Sequence, residues 1–203
     1  MKKIVIIGPE STGKSTLCEQ LATHYNTRWV PEYAREFLEK NGTNYCYENL
    51  YEIAMGQVEN EEAGVGIQES EVISQESSVN SLLSILIPQA EAPTIFIDTD
   101  LYVMKVWSEY VFNKCDNRIL TQIAKRKYDL YLLCNTDLPW QADLLREYPD
   151  LHTREKLYHY YKDAMLNQNT AWVDISGKHE ERLQKAIEAV DKMLFKNVQE
   201  QGQ

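Results

Sequence analysis

Hydrophobic and polar residues follow two patterns along the chain. Short runs rich in apolar, β-branched residues are typical of strands buried on both faces of a parallel sheet. Such runs occur at residues 4–7, 28–31, 94–97, 129–134 and 171–175. Between them, apolar residues recur at helical spacing. We predict helices at residues 15–24, 33–40, 45–62, 101–112, 154–166 and 180–198.

Strands that alternate with amphipathic helices predict an α/β fold, with helices on both faces of a parallel sheet of about five strands. Ligands of such a sheet bind at the carboxyl ends of its strands. We expect a single domain of residues 1–198, followed by a frayed polar tail at 199–203. Residues 64–93 are rich in Ser, Glu and Gln and are interrupted by Gly and Pro, so we predict a mobile insertion with a short helix at 79–87.

The charge of the chain narrows the choice of partners. Its formal net charge is −10, which disfavours nucleic acid or an anionic membrane surface because both require basic patches. The four cysteines lack the spacing of metal ligands, and no run approaches the ~20 apolar residues of a membrane span. We therefore expect a cytoplasmic protein that acts on a small molecule.

A phosphate-binding motif follows the first predicted strand and opens the first predicted helix. Its glycines allow backbone N–H groups to converge on an anion, and the helix N-terminus adds a partial positive charge. The lysine is expected to reach the β- and γ-phosphates, and the final serine to ligate Mg²⁺. The motif predicts a P-loop NTPase fold with ATP and Mg²⁺ as cofactors. The expected ATP-binding residues here are Gly8, Pro9, Glu10, Ser11, Thr12, Gly13, Lys14, Ser15 and Thr16.

Acidic residues follow two of the predicted strands. Asp98 stands where a Walker B aspartate would hold the Mg²⁺ shell, whereas Asp100 would either join the site or cap the next helix. Glu32 can accept the proton of an attacking hydroxyl, or it can form a surface pair with Arg35, one helical turn later. The sequence leaves open whether Glu32 or Asp98 is the general base.

The segment after the fourth predicted strand is a candidate lid. Phosphoryl transfer requires cations that arrive over the γ-phosphate as water is excluded, and Arg146 and Arg154 are suited to that role. Trp140 stands in a polar loop, where it would either anchor the lid or form a platform for a ligand.

Together these motifs resemble the nicotinamide riboside kinase domain of the bacterial NadR family. The matching stretches are GPESTGKSTL at 8–17, VPEYAREFL at 30–38, GQ at 56–57, FIDTDL at 96–101, residues 131–146 with their ending PWQADLLR, and SGKHEERL at 176–183. The resemblance implies ATP-dependent phosphorylation of the ribose 5′-hydroxyl of nicotinamide riboside. The product would be nicotinamide mononucleotide, in a route of NAD salvage.

The resemblance also implies roles for single residues. Lys14 and Arg146 would act on the transferred phosphate, Asp98 and Ser15 would serve the metal, and Gly177 and Arg182 would lie near the adenine. The residues implied for the acceptor nucleoside are Glu32, Tyr33, Arg35, Asp100, Trp140 and Asp143.

Two features depart from the NadR pattern. NadR proteins often carry an adenylyltransferase domain ahead of the kinase, whereas here the P-loop strand begins near Lys3, so we expect a stand-alone kinase. The insertion at 64–93 would either cover the acceptor site or, as we favour, lie on the surface. Two other functions stay open: phosphorylation of another nucleoside or nucleotide, and an ATP-binding sensor module without chemistry.

Overall fold

The computed structural model describes residues 1–78 and 93–200. Five strands form one sheet in the order β2-β3-β1-β4-β5, and every neighbouring pair is parallel. This confirms the predicted α/β fold. The strands are β1 (Lys2–Ile7), β2 (Trp29–Val30), β3 (Thr94–Asp98), β4 (Leu130–Cys134) and β5 (Trp172–Ile175).

Helices connect the strands and cover both faces of the sheet. Three of them are preceded by an N-cap aspartate whose side chain accepts a backbone N–H of the first turn. These are Asp100 before α4, Asp116 before α5 and Asp150 before α6. The helices are α1 (Lys14–His24), α2 (Tyr33–Asn41), α3 (Tyr47–Ser78), α4 (Leu101–Phe112), α5 (Asn117–Lys125), α6 (Leu151–Leu166) and α7 (His179–Glu200).

The central strand β1 shows why the strand runs are continuously apolar. Ile4 and Ile6 pack against α1 and α7 on one face, and Val5 and Ile7 pack against α4 and α6 on the other. All four side chains are fully buried, so a polar residue at any of these positions would lose its water without gaining a partner. A third apolar cluster joins α2, α3, α4 and α5.

Two helices differ from the sequence prediction. Helix α3 does not end near residue 62 but continues to Ser78, so residues 64–78 of the predicted insertion are helical. Gly64 lies within this helix and close to β2: a Cβ there would be 2.8 Å from the Val30 side chain. The predicted short helix at 79–87 lies outside the described residues. Helix α5 was not predicted, although its amphipathic pattern and its Asp116 cap are both readable in the sequence.

The parallel strands bring their carboxyl ends to one edge of the sheet. The P-loop follows β1, Glu32 follows β2, Asp98 ends β3, and the candidate lid follows β4. In the parts of the chain that the structure describes, no helix has both the length and the apolar composition needed to span a membrane.

Candidate active site

The P-loop wraps around the position that an anion would occupy. Gly8, Ser11 and Gly13 all have a positive φ, which turns successive backbone N–H groups toward one centre. A Cβ at Gly8 would stand 2.6 Å from the carbonyl oxygen of Cys134 in β4, so no other residue fits there. Helix α1 begins at Lys14, directly after Gly13, and adds its partial positive charge to the same centre.

A cleft extends from the P-loop across the edge of the sheet. Its donor end, where the P-loop lies, is also lined by Leu138, Pro139, Gln141 and Arg146. Its other end, here called the acceptor end, is formed by Glu32 and Arg35 together with apolar and aromatic side chains. These are Ala34, Leu38, Val103, Trp107, Tyr110, Leu145, Tyr148, Leu157 and Tyr161.

Asp98 lies below the cleft at the end of β3 and is 1% exposed. Burial raises the pKa of Asp98 to about 7 and the charge of Glu32 adds to the rise, whereas Lys14 and Ser15 act in the opposite direction. Its Oδ1 atom has no hydrogen-bond partner among the described residues.

An orphaned, buried carboxylate oxygen near a P-loop serine fits a divalent cation, because Mg²⁺ prefers oxygen ligands. Among the described residues, no three His, Cys, Asp or Glu side chains gather as a metal site. A magnesium ion that reaches the protein with nucleotide phosphates needs only one or two protein ligands, and Ser15 and Asp98 can supply them.

Glu32 occupies the N-cap position of α2, but its side chain makes no capping hydrogen bond. The carboxylate lines the cleft instead. Arg35 pairs with Asp143 at 2.8 Å and with Glu39 at 3.7 Å, so the simple Glu32–Arg35 surface pair does not form. Glu32 is therefore available to a ligand at the acceptor end.

Gln57 holds the two acidic strand ends in place, a role that the sequence analysis missed. Its Oε1 accepts the backbone N–H of Tyr33 at 2.7 Å. Its Nε2 donates to the carbonyl oxygens of Asp98 at 3.4 Å and Thr99 at 3.2 Å. One buried amide thus fixes the loops that carry Glu32 and Asp98 relative to each other.

The lid segment, defined here as residues 138–148, is hydrogen-bonded to the P-loop. Ser11 Oγ accepts the backbone N–H of Gln141 at 2.8 Å and lies 3.4 Å from Arg146 Nη1. Glu10 Oε2 accepts the backbone N–H groups of Glu147 and Tyr148 at 2.9 and 3.2 Å. Burial raises the pKa of Glu10, and these two N–H groups oppose the rise. Arg146 therefore lies beside the P-loop, and its role as a cation over the γ-phosphate stays a prediction.

Arg154 and Trp140 support the lid from outside the cleft. Arg154 is 2% exposed and donates to the carbonyl oxygens of Glu10, Ser11 and Leu138 at 3.1 to 3.3 Å. Its Nε and Nη2 groups are engaged in these bonds, and the side chain does not line the cleft, so it does not face the phosphates as the sequence suggested. Trp140 packs near the guanidinium groups of Arg146 and Arg154 and does not line the cleft, an arrangement that matches an anchor of the lid.

Besides Trp140, three further residues expected on the acceptor side lie outside the cleft. Asp100 is buried, and its two oxygens accept from the Tyr131 hydroxyl at 2.7 Å and from the Tyr102 N–H at 2.9 Å. It caps α4, the simpler of the two interpretations. The ring of Tyr33 packs so closely on Gly56 that a Cβ there would lie 2.0 Å from it. Asp143 joins the lid segment to Arg35.

The residues expected near the adenine form a scaffold behind the donor end. Arg182 is 3% exposed and donates to Asp137 Oδ1 at 2.9 Å and to the carbonyl oxygens of Asn135 and Ile175. The backbone N–H of Gly177 also donates to Asp137. These bonds tie together the loops after β4 and β5, and His179, the first residue of α7, lines the cleft.

The sequence analysis also missed the wall of the acceptor end. Val103, Trp107 and Tyr110 lie on one face of α4, at spacings of four and three residues, and Leu157 and Tyr161 lie four residues apart on α6. Because α4 begins three positions after Asp98, its N-terminal part must lie at the carboxyl edge of the sheet. That position and the helical spacing of the three residues were the sequence signals that could have predicted this wall.

The amino-acid sequence is similar to that of known NadR proteins. The trifunctional NAD biosynthesis/regulator proteins NadR of Salmonella typhimurium and Escherichia coli are each 22% identical to the chain over 96% of its length. The chain spans 43% of the length of these curated relatives. The predicted resemblance to NadR is thereby confirmed.

Solved structures show the same fold. A NadR protein in complex with nicotinamide riboside (NR) matches with a TM-score of 0.69 and 22% identity, and one in complex with NAD and AMP-PNP with 0.66 and 20%. Each match covers 95% of this chain and 49% of the other. A thymidylate kinase from Ehrlichia chaffeensis matches with a TM-score of 0.55 and 11% identity, over 93% of this chain and 98% of that one. The fold is thus that of P-loop kinases.

A family model shows the wider relationship directly. The AAA domain model matches residues 3–182, which include the P-loop, the lid segment and all of the five strands except Lys2. The chain belongs to the AAA domain family AAA_28.

Proposed function

We propose that this chain transfers the γ-phosphate of ATP to the ribose 5′-hydroxyl of nicotinamide riboside. The observation that carries the proposal is the placement of two carboxylates between a phosphate nest and an aromatic wall. Asp98 is buried with an unpartnered oxygen beside Lys14 and Ser15. The side chain of Glu32 makes no capping hydrogen bond to α2 and lines the acceptor end of the cleft. Such a cleft can receive the donor phosphates at one end and the acceptor nucleoside at the other. It supplies a carboxylate where the γ-phosphate and the acceptor hydroxyl would come together.

The reaction is an in-line displacement. The acceptor oxygen forms a bond to the γ-phosphorus as the bond from that phosphorus to the β–γ bridging oxygen breaks, and ADP leaves. Glu32 takes the proton of the attacking hydroxyl. Lys14, Arg146 and the P-loop N–H groups bind the phosphate oxygens and exclude water. Magnesium, held by Ser15 and Asp98, would neutralise charge on the transferred group.

The charge of the acceptor end favours a nucleoside over a nucleotide. Among the described residues that line it, Arg35 is the single cation, and it is already paired with Asp143 and Glu39. A phosphorylated acceptor would bring an extra phosphate with no free cation to receive it. The likeness to a NadR structure that holds nicotinamide riboside supports this particular nucleoside.

Purified protein with ATP, Mg²⁺ and a panel of nucleosides tests the proposal. We expect nicotinamide riboside to be phosphorylated with a higher kcat/KM than uridine, cytidine or thymidine. Lys14→Ala should abolish phosphorylation and leave the circular dichroism spectrum unchanged. Equal rates for all nucleosides would refute the substrate. Binding of ATP without turnover of any nucleoside or nucleotide would favour a sensor module instead.

A further inference from the structure

A chain of hydrogen bonds links the acceptor end of the cleft to the phosphate loop. The indole Nε1 of Trp107, in the acceptor wall, lies 2.8 Å from the Tyr45 hydroxyl. That hydroxyl lies 2.9 Å from Glu147 Oε2 in the lid segment. The backbone N–H of Glu147 in turn donates to Glu10 of the P-loop at 2.9 Å. Three contacts therefore connect the acceptor wall to the P-loop.

The chemistry of the groups fixes the direction of these bonds. An indole nitrogen can only donate, so the Tyr45 oxygen must accept from Trp107. The Tyr45 proton is then directed at the Glu147 carboxylate, which gives a charge-assisted bond. Burial is the largest cause of the raised pKa of Tyr45, so the hydroxyl keeps its proton at physiological pH. The Tyr45 ring is held in place by edge-on packing against Trp107, with ring centroids 4.7 Å apart.

We propose that Tyr45 and Glu147 are positioning residues that couple the two substrates, so that ATP on the phosphate loop and the acceptor nucleoside against Trp107 each strengthen the binding of the other. The identity of the acceptor in this inference rests on the proposed function.

The coupling has a simple physical origin. The lid segment is hydrogen-bonded to the P-loop, which places Glu147 where Tyr45 reaches it, and ATP bound beneath the lid segment would hold it there. Tyr45 then holds Trp107 in one orientation before the acceptor arrives. The acceptor then binds to a Trp107 side chain that is already ordered. Its binding therefore loses less conformational entropy than it would in the absence of ATP. The reciprocal effect on ATP follows from linkage.

Calorimetric titration measures the coupling. The dissociation constant of nicotinamide riboside is determined with and without saturating AMP-PNP, and the ratio of the two values is the coupling factor. In the wild type we expect a factor of about five or more. Tyr45→Phe keeps the ring and removes the hydroxyl, so the factor should fall to within about twofold of one. Glu147→Ala, at an exposed position, should do the same, and the double variant should be no worse than either single variant.

Tyr47→Phe is the matched control. The Tyr47 ring contacts Phe112, as the Tyr45 ring does, but within the described part of the chain no hydrogen bond is donated by its hydroxyl. This variant should keep the wild-type factor. A role limited to stability would lower both affinities and leave their ratio unchanged. An unchanged ratio in Tyr45→Phe and Glu147→Ala, or an equal loss in Tyr47→Phe, overturns the inference.

A second readout requires no acceptor. We expect AMP-PNP alone to change the fluorescence of Trp107, defined as the part of the response that is absent in Trp107→Phe. The change should be lost in Tyr45→Phe and kept in Tyr47→Phe. Loss of nicotinamide riboside binding with this response intact refutes only the proposed substrate. Phosphorylation of nicotinamide riboside without the Tyr45-dependent response refutes only the coupling.

Discussion

Replacing Gln57 by Met tests whether one buried amide holds the candidate site together. Methionine has a similar length and volume, so the apolar surroundings of the side chain are largely kept. The change removes the acceptor for the Tyr33 N–H and the donors for the Asp98 and Thr99 carbonyl oxygens. The loops that carry Glu32 and Asp98 would then lose their common support.

The size of the effect follows from these contacts. The bond from Tyr33 is short at 2.7 Å, whereas the two donated bonds are long and share one nitrogen, so we treat them as a single bond. Gln57→Met thus removes two hydrogen bonds and leaves their backbone partners partly or fully buried without a partner. We expect the free energy of unfolding to fall by about 2–4 kcal/mol. For a domain of this size the melting temperature should fall by about 5–15 °C. A displaced carboxylate should lower kcat/KM by about 10- to 100-fold.

Thermal unfolding followed by circular dichroism and a coupled ADP-release assay with nicotinamide riboside measure both quantities. Gln122→Met, at a half-buried position on α5, is the control and should change stability by less than about 0.5 kcal/mol. If Gln57→Met melts within about 2 °C of the wild type and keeps its kcat/KM, Gln57 does not position the site, and the argument from its hydrogen bonds is wrong.

Three further tests compare variants of the carboxylates, of two glycines and of Arg154. Glu32→Gln should lower kcat by about 10²–10⁴-fold at saturating Mg²⁺, whereas Asp98→Asn should mainly raise the Mg²⁺ requirement. The same Mg²⁺ dependence of the rate in both variants would contradict these separate roles. Gly8→Ala places a Cβ against a backbone oxygen, so chemical unfolding should show a free energy of unfolding lower by about 2–4 kcal/mol. Gly66→Ala, in open space on α3, should raise that free energy by about 0.5–1 kcal/mol. Arg154→Met removes the support beneath the P-loop, and calorimetry should show ATP binding weakened by about tenfold; unchanged binding would limit Arg154 to the lid.

The sequence predicted the parts of the site that depend on local geometry. The P-loop is contiguous, and its glycines, lysine and serine are fixed by the backbone conformation, so the motif identifies it. Glu32 and Asp98 could be placed because parallel strands end at a common edge. The helix at 101–112 was predicted at its observed bounds because its apolar positions have a regular helical spacing.

The remaining assignments depended on contacts between residues distant in sequence. Whether Asp100 faces a ligand or caps α4 is decided by Tyr131, which lies 31 positions away and takes its second oxygen. Arg154 looked like a free lid cation, but three backbone carbonyl oxygens from two other segments surround it. Side-chain patterns along one segment carry no information about such partners. Gln57 was missed for the same reason.

The charges around the cleft bear on the proposed binding of a triphosphate by a chain of net charge −10. Three cations line the cleft, and three carboxylates line it with them, so side chains alone give little net attraction. The attraction must come mainly from neutral donors: the P-loop N–H groups, which positive φ angles turn inward, and the N-terminus of α1. These dipoles are fixed before the ligand arrives and require no reorganisation. Because they act at short range, salt should screen them less than it screens a cluster of exposed lysines. An acidic surface and a polyanion site are therefore compatible in one domain.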